Sequence, residues 1–285
     1  RARENQWGFV DFNRPMVAIN QWEQAADSMY TLCGKDRIHP STDGHLVMAY
    51  LFLKAQGLAG KLVADIRIDG AGKKVTRSDN CRVSDLSVSS DNLTFTYEAK
   101  SLPYPIDTSY YDNEKHTQAD ALSVIPFMDE MNYEGLSVSG LSDGYYGLTI
   151  GGEFIGRFTA RELERGINMA LLQNTPQYKQ AMKIRQMNEE RWLKERKMRE
   201  FYWVEYNLMR KTGMLWACDE AAVDTLRKYR PHDIFLQWNG DLWLQYMHKG
   251  IREDCVNEQQ DLVDRIYEQN KPIPLQIEIK KFTDL

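Results

Sequence analysis

A carboxylate and an imidazole stand three residues apart in the segment Asp36-Arg37-Ile38-His39-Pro40. On a turn, this spacing lets the aspartate orient the histidine ring as a general base. A general base acts on a nucleophile, but the 35 residues before Asp36 contain no serine in a recognisable nucleophile motif. A turn in which Asp36 accepts hydrogen bonds for structural reasons alone is the alternative reading of this pair.

The neighbouring acid and imidazole groups allow a second kind of site. Carboxylate and imidazole donors also bind metal ions, so Asp36, His39, Asp43 and His45 form a candidate ligand set. Asp43 and His45 are expected in the first turn of a helix, where their side chains point in other directions than those of the turn before it. We therefore predict neither a metal nor another cofactor, and we expect His45 to pack or cap the helix.

The elements around the pair follow from the pattern of apolar residues. The apolar run at residues 7–12 is typical of a buried parallel strand. Ser41 is a good N-cap, and the apolar positions between Leu46 and Leu53 predict a helix that ends near Gly57. Strand, turn and helix in this order indicate the closing stretch of an α/β sheet domain that begins before residue 1.

The spacing of apolar residues along the chain changes after residue 62. Short alternating segments separated by Gly, Asn, Asp and Ser predict an antiparallel β region, with hairpin turns at Asp91-Asn92 and at residues 150–153. Residues 101–131 contain three prolines and little periodicity, so they predict a long connection. Because loops often carry recognition, Tyr104, Tyr110 and Tyr111 are candidates for the wall of a substrate cleft.

The last part of the chain is predicted to be mainly helical. Thr159 and Glu162 have the capping-box spacing, which predicts a helix over residues 160–172. A long helix should follow over about 176–212, with a solvated, charged middle held by Glu190–Lys194 and Glu195–Arg199 pairs. Further helices are expected at 221–229, 234–247 and 254–269, and a final strand at about 273–279 should return to the β region. Trp238 and Trp243 are expected in the core rather than in a sugar-binding site.

The stretch from Phe9-Val10-Asp11 through Asp36-Arg37-Ile38-His39-Pro40 to Gly44-His45 resembles the end of the SGNH hydrolases, the GDSL-type esterases and lipases. Looser matches to C-terminal extensions of some bacterial members lie at residues 136–141, 146–150 and 166–170. The resemblance implies that His39 is the general base and that Asp36 orients it. The serine, glycine and asparagine blocks of the family have no counterpart here, so the nucleophile would lie outside this chain.

The expected fold class is α+β: the end of a flavodoxin-like, three-layer α/β domain at residues 1–57, a β-rich module at 58–158 and a helical region at 159–285. The resemblance implies a serine esterase acting on an acyl or acetyl ester of a small molecule or carbohydrate, in a periplasmic or secreted protein. The alternative is a non-catalytic accessory or interaction module that binds a glycan or a protein.

Charge and hydropathy narrow the range of partners. The formal net charge is -5, and the basic residues are mostly interleaved with glutamates on one helix, so nucleic acid is not an expected partner. No apolar run approaches the roughly 20 residues that span a bilayer, so no membrane span is expected. The oligomeric state is left open by the sequence.

Overall fold

The alternating apolar segments form two β-sheets in a computed structural model that describes residues 1–2, 4–109 and 116–282. Two compact units result, one made of Arg1–Ala181 with Lys271–Leu285 and the other of Met182–Asn270. The first unit carries both sheets, and the second is helical, so the predicted α+β class is confirmed. The domain boundaries that the sequence predicts at residues 57 and 158 both fall inside the first unit.

The α-helices are α1 (Asn13–Glu23), α2 (Thr42–Ala55), α3 (Phe127–Glu130), α4 (Ala160–Arg165), α5 (Pro176–Val204), α6 (Glu220–Tyr229), α7 (Ile234–Tyr246) and α8 (Lys249–Gln269). The strands are β1 (Ala64–Asp69), β2 (Lys74–Asp79), β3 (Cys81–Val88), β4 (Asn92–Ala99), β5 (Glu134–Ser139), β6 (Tyr145–Ile150), β7 (Glu153–Thr159), β8 (Ile167–Asn168) and β9 (Leu275–Lys281). Short 3₁₀ turns lie at Gln118–Ser123, Met169–Leu171 and Arg230–His232, and a π-helical turn lies at Glu205–Met209.

The strands pair in the orders β2-β1-β5-β8 and β3-β4-β9-β6-β7. Both predicted hairpins are confirmed, as is the return of the last strand, since β9 lies between β4 and β6. The prediction of a wholly antiparallel region is wrong at one pair, because β1 and β5 run parallel with Ile66 opposite Leu136. A parallel pair needs a long crossover, and the chain between β1 and β5 provides it.

Buried and exposed residues alternate along the strands, and the buried ones build the core of the first unit. Leu93, Phe95 and Tyr97 of β4 are buried while the residues between them are partly exposed, and Ile277 and Ile279 of the adjoining β9 are fully buried. One face of this sheet therefore faces the core, as a period of two residues requires. The same core includes Ile66, Ile68 and Leu136 of the second sheet, among other residues.

One carboxyl group lies inside this apolar core. Glu134 on β5 has no exposed surface, and its carboxyl accepts hydrogen bonds from Tyr97 Oη at 2.8 Å and from Gln177 Nε2 at 3.2 Å. Burial raises the pKa of Glu134 to about 7, because the charged form loses its hydration, although the two donors oppose this effect. In the described part of the chain, Gln177 Oε1 has no hydrogen-bond partner.

Two predicted elements of the first unit differ from the structure. The predicted strand at 7–12 is wrong: Trp7 and Phe9 are 65% and 73% exposed, and no strand is present there. A strand needs a hydrogen-bonding neighbour, and an apolar run by itself does not supply one. The helix predicted over 160–172 has its capping box at Thr159 and Glu162 but ends at Arg165, because Gly166 turns the chain with a φ of 94° into β8.

The second unit contains α6, α7, α8 and most of α5. The helix predicted over 176–212 is α-helical only to Val204 and continues as a π-helical turn over Glu205–Met209. The carboxylate of Glu205, buried in this turn, accepts hydrogen bonds from Trp243 Nε1 at 2.7 Å and from the Trp216 backbone at 2.9 Å. Trp243 is fully buried, as expected, whereas Trp238 is 66% exposed. Among the described helices, none is long and apolar enough to cross a bilayer.

Candidate functional site

The Asp36–His39 pair lies on a loop whose ends are held together by backbone pairing. Cys33 and Pro40 form an isolated β-bridge, and within the loop Gly34 N donates to His39 O at 2.8 Å. Arg37 sits at the tip with a φ of 55°, in the left-handed region that non-glycine residues seldom adopt. The loop therefore has a defined shape that fixes where its side chains point.

Within this loop the two side chains face each other. His39 Nδ1 lies 2.6 Å from Asp36 Oδ2, a short hydrogen bond between an imidazole and a carboxylate. The other carboxylate oxygen, Oδ1, accepts the backbone N–H groups of Ile38 at 2.9 Å and of His39 at 3.1 Å. Three donors thus hold the carboxylate in one orientation, and the carboxylate in turn fixes the plane of the imidazole.

These contacts also keep the Asp36 carboxyl ionised. The hydrogen bond from His39, followed by those from the Ile38 and His39 backbone, lowers the pKa of Asp36 to about 2. Asp36 is therefore a carboxylate at neutral pH. The His39 side chain is 83% exposed, and within the described part of the chain its Nε2 atom has no hydrogen-bond partner. This nitrogen is open to a group that approaches from outside.

The residues after the loop attach it to helix α2. Ser41 is at the predicted N-cap position, but its hydroxyl donates to Leu32 O at 3.0 Å and also contacts the Asp43 carboxylate. Ser41 is 6% exposed, so it is a structural group rather than a nucleophile for His39. A Cβ on Gly44 would lie 2.0 Å from Leu32 O, which explains the glycine at this position. His45 Nδ1 lies 2.9 Å from Ser41 O, the carbonyl that also accepts the His45 backbone N–H, so the ring bonds a carbonyl of the first turn and does not cap a free N–H group.

A second acid–imidazole pair lies beside the first and was missed by sequence reasoning. Asp43, almost wholly buried, has its Oδ2 atom 3.5 Å from His116 Nδ1, while its Oδ1 accepts the Gly44 backbone N–H at 2.8 Å. Burial, followed by the negative charges of Asp43 and two other acids, raises the pKa of nearby Tyr30 to about 12. Nothing in the local sequence around His116 indicated this partner, because the fold brings it from a distant segment.

The remaining candidate residues have other surroundings. Tyr104 is 39% exposed; its ring packs edge-to-face on Phe127, and its hydroxyl bonds Gln118. Among the described residues, no hydrogen bond joins Tyr104 to Asp36 or His39. Tyr110 and Tyr111 lie outside the described residues. No group of three or more His, Cys, Asp or Glu side chains that could hold a metal ion is found among the described residues.

Comparisons with known proteins relate the chain to an enzyme. Residues 182–271, which closely follow the second unit, match the sequence family described as "Diltiazem deacetylase C-terminal helical domain". A solved structure described as "a gut microbial diltiazem-metabolizing enzyme" superposes on 99% of this chain with a TM-score of 0.92 and 42% sequence identity. The chain spans 64% of the length of that structure. Among the curated proteins, none matches the chain.

Proposed function

We propose that this chain is part of a serine esterase of the SGNH type, in which His39 is the general base and Asp36 orients it. The observation that carries the proposal is the 2.6 Å contact between Asp36 Oδ2 and His39 Nδ1, with His39 Nε2 exposed. A neutral histidine protonated on Nδ1 presents a lone pair on Nε2. That lone pair takes the proton of a serine hydroxyl, and Asp36 stabilises the imidazolium that forms.

The serine in this proposal is supplied by polypeptide outside residues 1–285. Two features support this. The structure of the diltiazem-metabolizing enzyme is longer than this chain, which covers 64% of it. Large apolar side chains also lie exposed near the dyad in sequence: Ile38, between Asp36 and His39, is 75% exposed, and Trp22 is 81% exposed. A contiguous apolar patch is usually covered by another polypeptide or by a ligand, and in this proposal these side chains belong to such a patch in the full-length protein.

The reaction proposed is hydrolysis of an acyl or acetyl ester. The serine attacks the ester carbonyl, His39 transfers the proton to the departing alcohol, and water then releases the acid by the same route. The family matched by residues 182–271 names a deacetylase, which supports an acetyl group as the acyl part. The alcohol part, a small molecule or a carbohydrate, follows from the resemblance to the SGNH family alone.

The test uses the full-length protein that contains this chain, with p-nitrophenyl acetate as substrate. Asp36→Asn should lower kcat by about four orders of magnitude and His39→Ala by about six, the usual effects of removing the orienting acid and the base of such a triad. His248→Ala is the matched control, because His248 is an exposed histidine in the other unit.

A phosphonate ester that traps activated serines should label a serine outside residues 1–285 in a His39-dependent way. If the full-length His39→Ala variant retains its activity, the proposed role of the dyad is wrong. If residues 1–285 alone show robust turnover that His39→Ala abolishes, the nucleophile lies within this chain.

The second candidate is a non-catalytic accessory or interaction module that binds a glycan or a protein. It is favoured by the aromatic side chains exposed on the second unit, of which Trp192 and Trp238 are examples. A full-length protein with no phosphonate-reactive serine would support it over the esterase.

A further inference from the structure

A stripe of aromatic and basic side chains runs along one face of α5. Trp192, Arg196, Arg199 and Trp203 follow one another at intervals of four, three and four residues. At 3.6 residues per turn, these positions lie on the same side of the helix. With Asn239 of α7 and Glu200, they line a groove of about 360 Å³ in the second unit. This volume lies within the range of sites that bind small molecules.

The two cations that line this groove differ in their partners. The sequence predicts a Glu195–Arg199 pair, but Glu195 instead contacts Arg191 at 3.0 Å. Arg196 is paired with Glu200 at 2.6 Å. Arg199 has no carboxylate partner within the described part of the chain, and its guanidinium lies 5.5 Å from the centre of the Trp192 ring. The groove therefore carries one uncompensated positive charge, held against an aromatic face.

The walls of the groove are flat and apolar. Trp192 is 47% exposed, and the partly exposed Trp203 packs against Phe235 with ring centres 5.2 Å apart. Phe235 in turn contacts the exposed Trp238. Aromatic side chains bind the faces of other rings, and a guanidinium binds a carboxylate through two parallel hydrogen bonds. The Asn239 amide adds a polar group that can donate or accept a hydrogen bond.

We propose that this groove on the second unit binds a carboxylate borne by a ring, with the ring on Trp192 and Trp203 and the carboxylate on Arg199. Two sources of this chemistry fit: an aromatic acid, and a sugar acid of an acidic oligosaccharide. The single unpaired cation and the small volume favour such a ligand over a protein segment, whose interface would extend across Trp238. The site lies in a different unit from Asp36 and His39, so it is independent of the proposed esterase activity.

The test measures binding to the 285-residue chain by calorimetry and saturation-transfer NMR. The probes are 4-hydroxybenzoate and a galacturonate trisaccharide, with 4-hydroxybenzamide and a galactose trisaccharide as their neutral counterparts. Each acid that binds should do so about tenfold more tightly than its neutral counterpart, the minimum expected for a hydrogen-bonded charge pair. Added salt should reduce this preference, because the groove is open to solvent. The pair that gives the stronger signal identifies the source.

Variants separate the two parts of the site. Arg199→Gln should remove the preference for the acid and leave binding of the neutral counterpart unchanged, while Arg199→Lys should restore part of it. Trp192→Leu should weaken acid and neutral probe alike. The matched controls are Arg161→Gln and Trp22→Leu, both exposed and in the first unit. Circular dichroism verifies that each variant is folded.

Three outcomes would overturn the proposal. The first is that neither acid binds at millimolar concentration, and the second is that each binds no more tightly than its neutral counterpart. The third is that Arg199→Gln leaves the preference intact. The proposal would also be wrong if no acid binds and the chain instead captures a protein partner in a way that requires Trp238. The groove would then belong to a protein-binding surface.

Discussion

Replacement of the buried Glu134 by glutamine should change how the stability of the first unit depends on pH. The Glu134 carboxyl has an ordinary pKa of 4.5 in the unfolded chain and of about 7 in the folded protein, because burial disfavours its charge. Below pH 4.5 both states bind the proton, and the group does not oppose folding. Between pH 4.5 and about 7 the unfolded chain has released this proton while the folded protein keeps it, so the free energy of unfolding falls across this range and levels off above it.

The size of this effect follows from the two pKa values. A difference of about 2.5 between 4.5 and about 7 corresponds, at about 1.4 kcal/mol for each pKa unit, to about 3 kcal/mol. This is a large fraction of the 5–15 kcal/mol that is typical of a folded domain. The wild-type protein should therefore lose about 3 kcal/mol of stability between pH 4.5 and pH 8.5 from this group alone.

Glu134→Gln should abolish this loss while keeping the local contacts. The glutamine oxygen still accepts the hydrogen bond from Tyr97 Oη, and its amide group can donate to Gln177 Oε1, which has no partner within the described residues. The variant and the wild type should be of similar stability at pH 4.5. At pH 8.5 the variant should be more stable by about 3 kcal/mol.

The assay is urea unfolding followed by the backbone NMR resonances of Ile66 and Val138, both buried on neighbouring strands of the first unit. Residue-specific signals are needed because a chain of two units need not unfold in one step. Glu164→Gln, a substitution of an exposed glutamate on α4, is the control and should follow the wild type. If wild type and Glu134→Gln lose stability in parallel from pH 4.5 to 8.5, Glu134 is ionised in the folded protein and the argument fails.

Two further predictions concern the candidate site. Gly44→Ala should lower the free energy of unfolding by about 2 kcal/mol or more, because the added Cβ would meet Leu32 O. Urea unfolding measures this change. Replacement of glycine by alanine inside a helix usually stabilises a protein, so a gain of stability here would contradict the close approach. The ¹³C carboxyl resonance of Asp36 should titrate with a pKa of about 2, and His39→Ala should raise that pKa towards 3.8, since the His39 ring makes the largest contribution to lowering it. An Asp36 pKa that does not respond to His39→Ala would mean that the two side chains are not in contact in solution.

Features that depend on residues close together in sequence could be predicted from the sequence. The Asp36–His39 hydrogen bond, the capping box at Thr159 and the hairpin turns all join residues a few positions apart. For the same reason α6 and α7 were predicted within one residue of their ends, whereas α5 is shorter than predicted and α8 begins five residues earlier, at Lys249. In each case the spacing alone fixes which groups can reach each other.

Other features depend on which of several possible partners a segment or side chain meets in the folded protein. The apolar run at 7–12 forms no strand, because no neighbouring strand completes its hydrogen bonds. Arg199 loses its predicted partner because Glu195 has a second basic residue, Arg191, within reach on the same helix. The sequence allowed either pairing, and the packed helix selects one.

Burial and long-range contacts were decided by the tertiary structure alone. The Asp43–His116 contact and the enclosure of Glu134 by Tyr97 and Gln177 join groups that lie far apart along the chain. The pKa of a carboxyl group depends on the water removed from it and on the charges brought near it, and both are set by packing between elements. The sequence by itself therefore determined the Asp36–His39 turn and most of the helices, whereas the fold decided which other acids and imidazoles surround that turn and which are sealed in the core.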